Sequence, residues 1–136
     1  VFQPNPISKK SKVGNDTTLL IVTPDTTRYR HLAESQLPLD QEHVVLEVGC
    51  STGQTSKILV RRAKSWVGLD TSTEMIETVQ AIIPNDTTNC PKTSDNWIQA
   101  QTVSCRLDAL TDPVKGRQVA CQFGMPTSVF LDIGGN

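Results

Sequence analysis

Residues 44–53 have the sequence VVLEVGCSTG, in which a nearly continuous apolar run leads into a short loop that contains two glycines. The apolar run, residues 44–48, is typical of a parallel strand that is buried on both faces of a sheet. Gly49 and Gly53 then predict a tight turn. The residues that follow, 54–64, place their apolar side chains on one face of a helix. This stretch therefore predicts a strand, a turn and a helix in succession.

The same strand-and-helix pattern continues toward the C-terminus. Thr71-x-x-Glu74 forms a potential capping box at the start of a second helix, and Pro84 ends that helix. A weaker helix is predicted over residues 113–122. Since strands that alternate with helices form βαβ units, we predict an α/β fold with a Rossmann-like, doubly wound parallel sheet. The further predicted strands are 66–69, 103–107 and 128–131.

The rest of the chain divides into segments by composition. Residues 1–18 are polar and include a basic run, which predicts a mobile lead-in. Residues 19–43 are predicted to be an extension with a short strand and a helix over 25–37, with Asp25 or Thr26 as its N-cap. Residues 44–136 would then form the main domain. Within that domain Asn, Asp, Thr, Ser and Pro are frequent over residues 84–96, which predicts a surface insertion.

Composition limits the classes of partner. The chain has 136 residues, a net charge of −1 and an isoelectric point near 6.1. This balance provides no strong basic field for nucleic acid. No apolar run approaches the roughly 20 residues that span a bilayer, so we predict a soluble protein without a membrane partner. The four cysteines form no C-x-x-C pair, so we predict no zinc or other metal site.

The first residue, Val1, bears on localisation. A chain that begins with valine is either processed or a fragment, and a targeting segment could have been lost. We expect a cytoplasmic protein on the strength of its intracellular-enzyme pattern. Import into an organelle stays open as the alternative.

Acidic residues stand at or near the ends of all four predicted strands: Glu47, Asp70, Asp108 and Asp132. Open α/β sheets bind ligands at this carboxyl edge. Asp70 follows Glu47 by 23 residues, close to the spacing at which an acid accepts hydrogen bonds from ribose hydroxyls. Gly49 would let the backbone pass close to a ligand, and the N-terminus of the next helix suits a carboxylate.

Four short motifs carry a resemblance to a known family. Leu46–Gly53 resembles the first motif, (D/E)-x-G-x-G-x-G, of class I S-adenosylmethionine-dependent methyltransferases. Val67–Met75 is similar to the second motif and is the most specific of the four. Leu107–Leu110 and Val129–Asp132 are similar to the third and fourth. The resemblance implies an enzyme that transfers a methyl group from S-adenosyl-L-methionine to an acceptor.

The resemblance also implies an incomplete sheet. The family sheet normally has seven strands, and this chain supplies about four. We therefore expect it to be the cofactor-binding half of such an enzyme, truncated at its C-terminus. The acceptor stays open between a small molecule, RNA and a protein, and neither the catalytic base nor the oligomeric state can be named.

By the same resemblance, the cofactor contacts would come from all four strand ends. The implied contacts are Glu47 to the methionine amine; Gly49, Cys50, Ser51 and Gly53 along the methionine and ribose; Asp70 and Thr71 at the ribose; Asp108 and Ala109 at the adenine; and Asp132 near the methyl donor.

The sequence departs from the family motifs at two points, and two other functions stay open. Ser51 replaces the middle glycine of the family motif, and the fourth motif lacks the Asn-Pro-Pro-Tyr type used in amino-group methylation of bases. One rival is a non-catalytic, methyltransferase-like interaction module. The other is an NAD-binding oxidoreductase, which is disfavoured because Gly49-x-x-x-Gly53 does not fit G-x-G-x-x-G.

Overall fold

The computed structural model describes residues 7–13, 16–39, 41–85 and 100–132. These residues form two compact units, which divide between Leu32 and Ala33. The elements in chain order are β1 (Ile7–Val13), β2 (Asp16–Val22), α1 (Thr26–Ser35), β3 (Val44–Val48), α2 (Gln54–Arg62), β4 (Ser65–Asp70), α3 (Thr73–Ile82), β5 (Gln101–Arg106), α4 (Pro113–Ala120) and β6 (Ser128–Leu131).

The N-terminal unit differs from the sequence expectation. β1 and β2 pair antiparallel, with Ile7 opposite Val22 and Val13 opposite Asp16, where we had predicted a polar lead-in. The signal that we missed is Gly14-Asn15 between the strands, since these residue types favour two-residue hairpin loops. The mobility of residues 1–18 stays a prediction. α1 begins after Asp25, whose side chain accepts a hydrogen bond from the Arg28 N–H at 2.8 Å.

The second unit contains a parallel sheet of four strands in the order β5-β4-β3-β6. This confirms the α/β, Rossmann-like fold. The chain moves outward from β3 through β4 to β5 and then returns to the other side of β3 with β6. The strand order therefore reverses at β3, and open α/β sheets bind ligands beside such a reversal.

β4 is the most buried strand. Ser65 to Leu69 are all buried, and Trp66 and Val67 are fully buried. Val67 and Leu69 form an apolar cluster with Leu107, which follows β5. Burial on both faces explains the near-continuous apolar sequence of β4, whereas β3 alternates buried and half-buried residues.

The start of α3 corrects one prediction. Ser72, not Thr71, is the N-cap: its side chain accepts from the Met75 N–H at 3.3 Å, and its backbone is extended, with φ −94° and ψ 122°. Thr71 lies one residue too early, and its carbonyl oxygen accepts instead from Arg106 Nε at 3.0 Å. With Ser72 as the N-cap, Met75 and not Glu74 is the third helical residue, so the predicted capping box does not form.

After α3, the side chain of Asn85 covers the outer edge of β5. Its Oδ1 accepts from the Ser104 N–H at 2.8 Å, and its Nδ2 donates to the Ser104 carbonyl at 3.2 Å. One amide therefore takes the place of a neighbouring strand at this position. The surface insertion predicted for residues 84–96 lies outside the described residues, apart from Pro84 and Asn85.

Candidate functional site

The loop after β3 is attached to the end of β4. The N–H groups of Gly49 and Cys50 donate to the Leu69 carbonyl at 2.8 and 3.3 Å. The Ser51 N–H donates to Asp70 Oδ2 at 2.9 Å. Three consecutive backbone donors thus fix the loop at the carboxyl edge of the sheet, beside the acid that the sequence assigns to a ribose.

Gly49 brings the ends of β3 and β6 together. Its φ is +87°, and a Cβ at this position would overlap the Asp132 carbonyl oxygen. The Asp132 N–H donates to the Val48 carbonyl at 2.9 Å. We had expected the missing side chain to make room for a ligand, whereas the structure fills this space with the chain's own backbone.

The other two positions of the loop with a positive φ are Ser51 and Gly53. Ser51 has a φ of 50° and is the only described non-glycine residue with a positive φ. Gly53 has a φ of +80° and is the N-cap of α2, whose first turn has no side-chain cap. A Cβ on Gly53 would lie 2.8 Å from Ile82 Cδ1, so a glycine here allows α2 to begin close to α3.

Asp70 is held by two backbone donors. Its Oδ1 accepts from the Ser72 N–H and its Oδ2 from the Ser51 N–H, both at 2.9 Å. Each carboxylate oxygen has a second lone pair, so both can still accept from a ligand hydroxyl. The Asp70 carboxylate is thus oriented in advance and is half-buried.

Asp108 and Ala109 follow β5 on the same edge. Asp108 Oδ1 accepts from the Leu110 N–H at 3.0 Å, which orients the carboxylate through a local turn. The Leu107 N–H donates to the Asp70 carbonyl at 2.9 Å and ties this segment to the end of β4. A Cβ on Gly116 would lie 3.2 Å from the Cβ of Ala109, so α4 packs close to the turn.

Glu47 differs from the other acids because its side chain is inside the sheet. It is 1% exposed, and Trp66 Nε1 donates to its Oε2 at 3.0 Å. Burial raises the pKa of Glu47 to about 7; the Ser56 hydroxyl and the Trp66 indole oppose the rise, and Asp132 and Asp70 add to it. Only the indole lies in full hydrogen-bond geometry, because the Ser56 oxygen is buried without such a partner among the described residues.

Trp66 is the site residue that the sequence analysis did not assign. The contact depends on the strand register, which only the structure reveals: Glu47 pairs with Gly68, and Trp66 lies two residues earlier on the same face of β4. A buried carboxylate needs a hydrogen-bond donor, and the indole N–H of a residue on the same face of the neighbouring strand can supply one.

Cys50 contributes backbone rather than a reactive thiol to the loop. Its side chain is 3% exposed, and its Sγ donates to the Leu69 carbonyl at 3.3 Å. Burial raises the pKa of the Cys50 thiol, and the nearby carboxylates of Glu47 and Asp70 raise it further. A thiolate nucleophile is thus disfavoured at this position.

All ten residues assigned from the sequence therefore lie at or just below one edge of the sheet. Direct contacts link Gly49 to Asp132 and Ser51 to Asp70. The four carboxyl groups give this edge an acidic character that suits a cationic ligand. The part of the chain that the structure describes contains no group of three or more His, Cys, Asp or Glu that could hold a metal ion. None of its helices has the length and apolar character needed to cross a membrane.

The family model of a methyltransferase domain matches residues 45–111. No curated protein matches the chain. Among solved structures, a protein-L-isoaspartate O-methyltransferase is 15% identical, with a TM-score of 0.53, over 94% of this chain and 35% of that one. This likeness supports the fold.

Two other solved structures are similar over shorter stretches. YcgJ from Bacillus subtilis is 16% identical over 59% of this chain and 30% of its own, with a TM-score of 0.41. A putative methyltransferase from Pseudomonas syringae is 27% identical over 60% of this chain and 45% of its own, with a TM-score of 0.38. The chain spans less than half the length of each of these three structures.

Proposed function

We propose that this chain binds S-adenosylmethionine as the cofactor-binding part of a methyltransferase, because a family model of methyltransferase domains matches residues 45–111. The family implies a cofactor of this type in general. The observation that carries the proposal here is Asp70, whose two carboxylate oxygens are fixed by the N–H groups of Ser51 and Ser72. An acid so oriented at a strand end suits the two hydroxyls of a ribose.

The charge of the edge supports the same ligand. S-adenosylmethionine carries a sulfonium and an ammonium, and both cations would be attracted by the carboxylates of Asp70, Asp132 and, when ionised, Glu47. A dinucleotide would instead bring a pyrophosphate anion to this edge. In the proposed arrangement Glu47 faces the ammonium, Asp70 the ribose and Asp108 the adenine amine.

The reaction that follows is a methyl transfer. An acceptor nucleophile attacks the methyl carbon in line, the carbon–sulfur bond breaks, and its electron pair stays on the sulfur of the demethylated product. Because the sulfonium is already activated, the protein contributes chiefly by positioning the two reactants. The acceptor class, whether small molecule, RNA or protein, is left open.

Calorimetry on the full chain tests the proposal. We expect heat of binding from S-adenosylmethionine and from S-adenosylhomocysteine, and none from NAD. Binding of NAD alone, or with equal heat, would favour the oxidoreductase hypothesis. Failure to bind any of the three would favour the non-catalytic module without a ligand.

Substitution of Asp70 tests whether its carboxylate contributes to cofactor binding. Asp70→Ala should weaken binding by about 1–3 kcal/mol, because charge-assisted hydrogen bonds to the ribose are lost. Asp70→Asn keeps one acceptor oxygen and should weaken it less. Glu42→Gln, at the opposite edge of the sheet, is the matched control and should bind like wild type. Wild-type binding by both Asp70 variants would reduce Asp70 to a structural role.

A further inference from the structure

Trp66 has an environment that packing alone does not explain. It is fully buried at the second position of β4, and its indole N–H donates to Glu47 Oε2 at 3.0 Å. An indole nitrogen is a donor only, so it pairs better with a carboxylate than with a protonated acid. The acid and its donor come from adjacent strands of the same sheet.

The Trp66 ring occupies space that a side chain on Gly68 would fill. A Cβ on Gly68 would overlap Cζ2 and Cη2 of the Trp66 ring and would lie 2.7 Å from Cys50 Sγ. The ring therefore lies against Gly68 on the side where Cys50 also packs. We call Trp66, Gly68 and Cys50 the indole clamp.

The clamp has a direct consequence for Glu47. The indole N–H fixes the orientation of the Glu47 carboxyl through Oε2 and still leaves lone pairs on both oxygens for a ligand cation. The other groups around the carboxyl are the Ser56 hydroxyl from α2, Asp132, which follows β6, and Asp70, the last residue of β4. These two acids disfavour a negative charge on Glu47, so the indole donor works against them.

We propose that Trp66 is a positioning residue for the methionine end of the cofactor, holding the Glu47 carboxyl in the orientation and charge state that an ammonium group requires. This inference rests on the proposed function. It differs from a packing role in one respect: the indole N–H, and not only the volume of the ring, affects binding.

The test removes the donor and keeps an aromatic ring. In Trp66→Phe the charged form of Glu47 loses its donor, so its pKa should rise above the wild-type value of about 7. We expect S-adenosylhomocysteine affinity at about pH 7 to fall by roughly tenfold or more. At about pH 9, where Glu47 is ionised in both proteins, the loss should be smaller, and the pH midpoint of binding should move upward.

A double-mutant cycle separates the donor from the cavity that phenylalanine leaves. In a Glu47→Gln background position 47 has no carboxyl to titrate, so Trp66→Phe should lower the affinity by a similar factor at both pH values. Val79→Ala, which opens a cavity in the core but keeps the indole donor, should lower stability without moving the pH midpoint. An unchanged midpoint in Trp66→Phe would overturn the proposal.

Two measurements without cofactor distinguish failure of the inference from failure of the proposed function. Carbon-13 NMR of the Glu47 carboxyl should show a higher titration midpoint in Trp66→Phe than in wild type. If that variant does not fold, the measurement can be made on the indole proton of wild-type Trp66, whose chemical shift should change with the pH midpoint of Glu47. The variant Trp97→Phe leaves one indole signal and so assigns it to Trp66. If the chemical shift of the indole proton did not change as Glu47 titrates, the proposed role of Trp66 would be rejected. If it did change but the chain bound no S-adenosylhomocysteine, the coupling between Trp66 and Glu47 would stand and the proposed function would be rejected.

Discussion

The two edges of the four-stranded sheet are built differently. At the amino edge, backbone groups are matched to partners: the His43 carbonyl accepts from the N–H groups of Lys64 and Ser65, and Val44 exchanges hydrogen bonds with Thr127. At the carboxyl edge, the five-residue loop 49–53 holds three of the four described residues with a positive φ.

Charge divides the edges in the same way. The described ion pair at the amino edge, between Lys64 and Glu42 at 2.9 Å, is exposed and neutralises both groups. The carboxyl edge collects Glu47, Asp70, Asp108 and Asp132, and it buries the first of these almost completely. Strained backbone and unneutralised charge lower stability, and such features concentrate where a ligand will bind. The difference between the edges thus indicates which one carries function.

The largest expected effect comes from Gly49. Gly49→Ala adds a methyl group that overlaps the Asp132 carbonyl oxygen, and it also places a side chain at a φ of +87°. We expect unfolding in urea to become easier by about 3 kcal/mol or more, the sum of backbone strain and overpacking. Gly124→Ala is the control, because its φ is +112° but nothing lies within 4 Å of the added Cβ. Equal losses in the two variants would show that the contact between β3 and β6 contributes nothing.

The next effect concerns the buried charge. The carboxyl of Glu47 has a pKa near 4.5 when unfolded and of about 7 when folded, so between these values the unfolded chain binds fewer protons. Stability should therefore fall as pH rises through this window, by on the order of 3 kcal/mol. Glu47→Gln does not titrate and should remove this fall, so that it becomes more stable relative to wild type at about pH 8 than at about pH 4.

Urea denaturation at the two pH values measures this difference. Glu42→Gln, an exposed acid of the amino edge, is the control and should retain the wild-type pH dependence. If Glu47→Gln also retained the wild-type fall of stability with rising pH, the buried carboxyl would not be the source of that fall. A variant that gains stability but loses cofactor binding would show directly that the carboxyl edge trades stability for function.

Sequence reasoning succeeded where the residues have a strong periodic signal. The apolar run at 44–48 and the apolar stretch that ends at Asp70 predicted two strands of the sheet, although only β4 is buried on both faces. It failed where contacts come from residues distant in sequence. That Gly49 accommodates Asp132, and that Trp66 reaches Glu47, depends on strand order and register, which the sequence does not display. The hairpin at β1 and β2 was missed because its polar strand outweighed its Gly14-Asn15 turn signal.

The smallest expected effect separates strain from ligand contact at the carboxyl edge itself. Ser51 has a φ of 50°, which costs a residue with a side chain about 1–3 kcal/mol. Ser51→Gly relieves that strain, and the greater freedom of glycine in the unfolded chain offsets about 0.5–1 kcal/mol of the gain. We therefore expect a net stabilisation of about 1 kcal/mol in urea, with cofactor affinity unchanged or slightly higher. Ser51→Ala keeps the strained backbone and loses only the hydroxyl, so it should gain no stability. If both variants lost affinity strongly, the Ser51 hydroxyl would be a cofactor ligand in its own right. A loss confined to the glycine variant would mean that the rigid loop, rather than the hydroxyl, prepares the site.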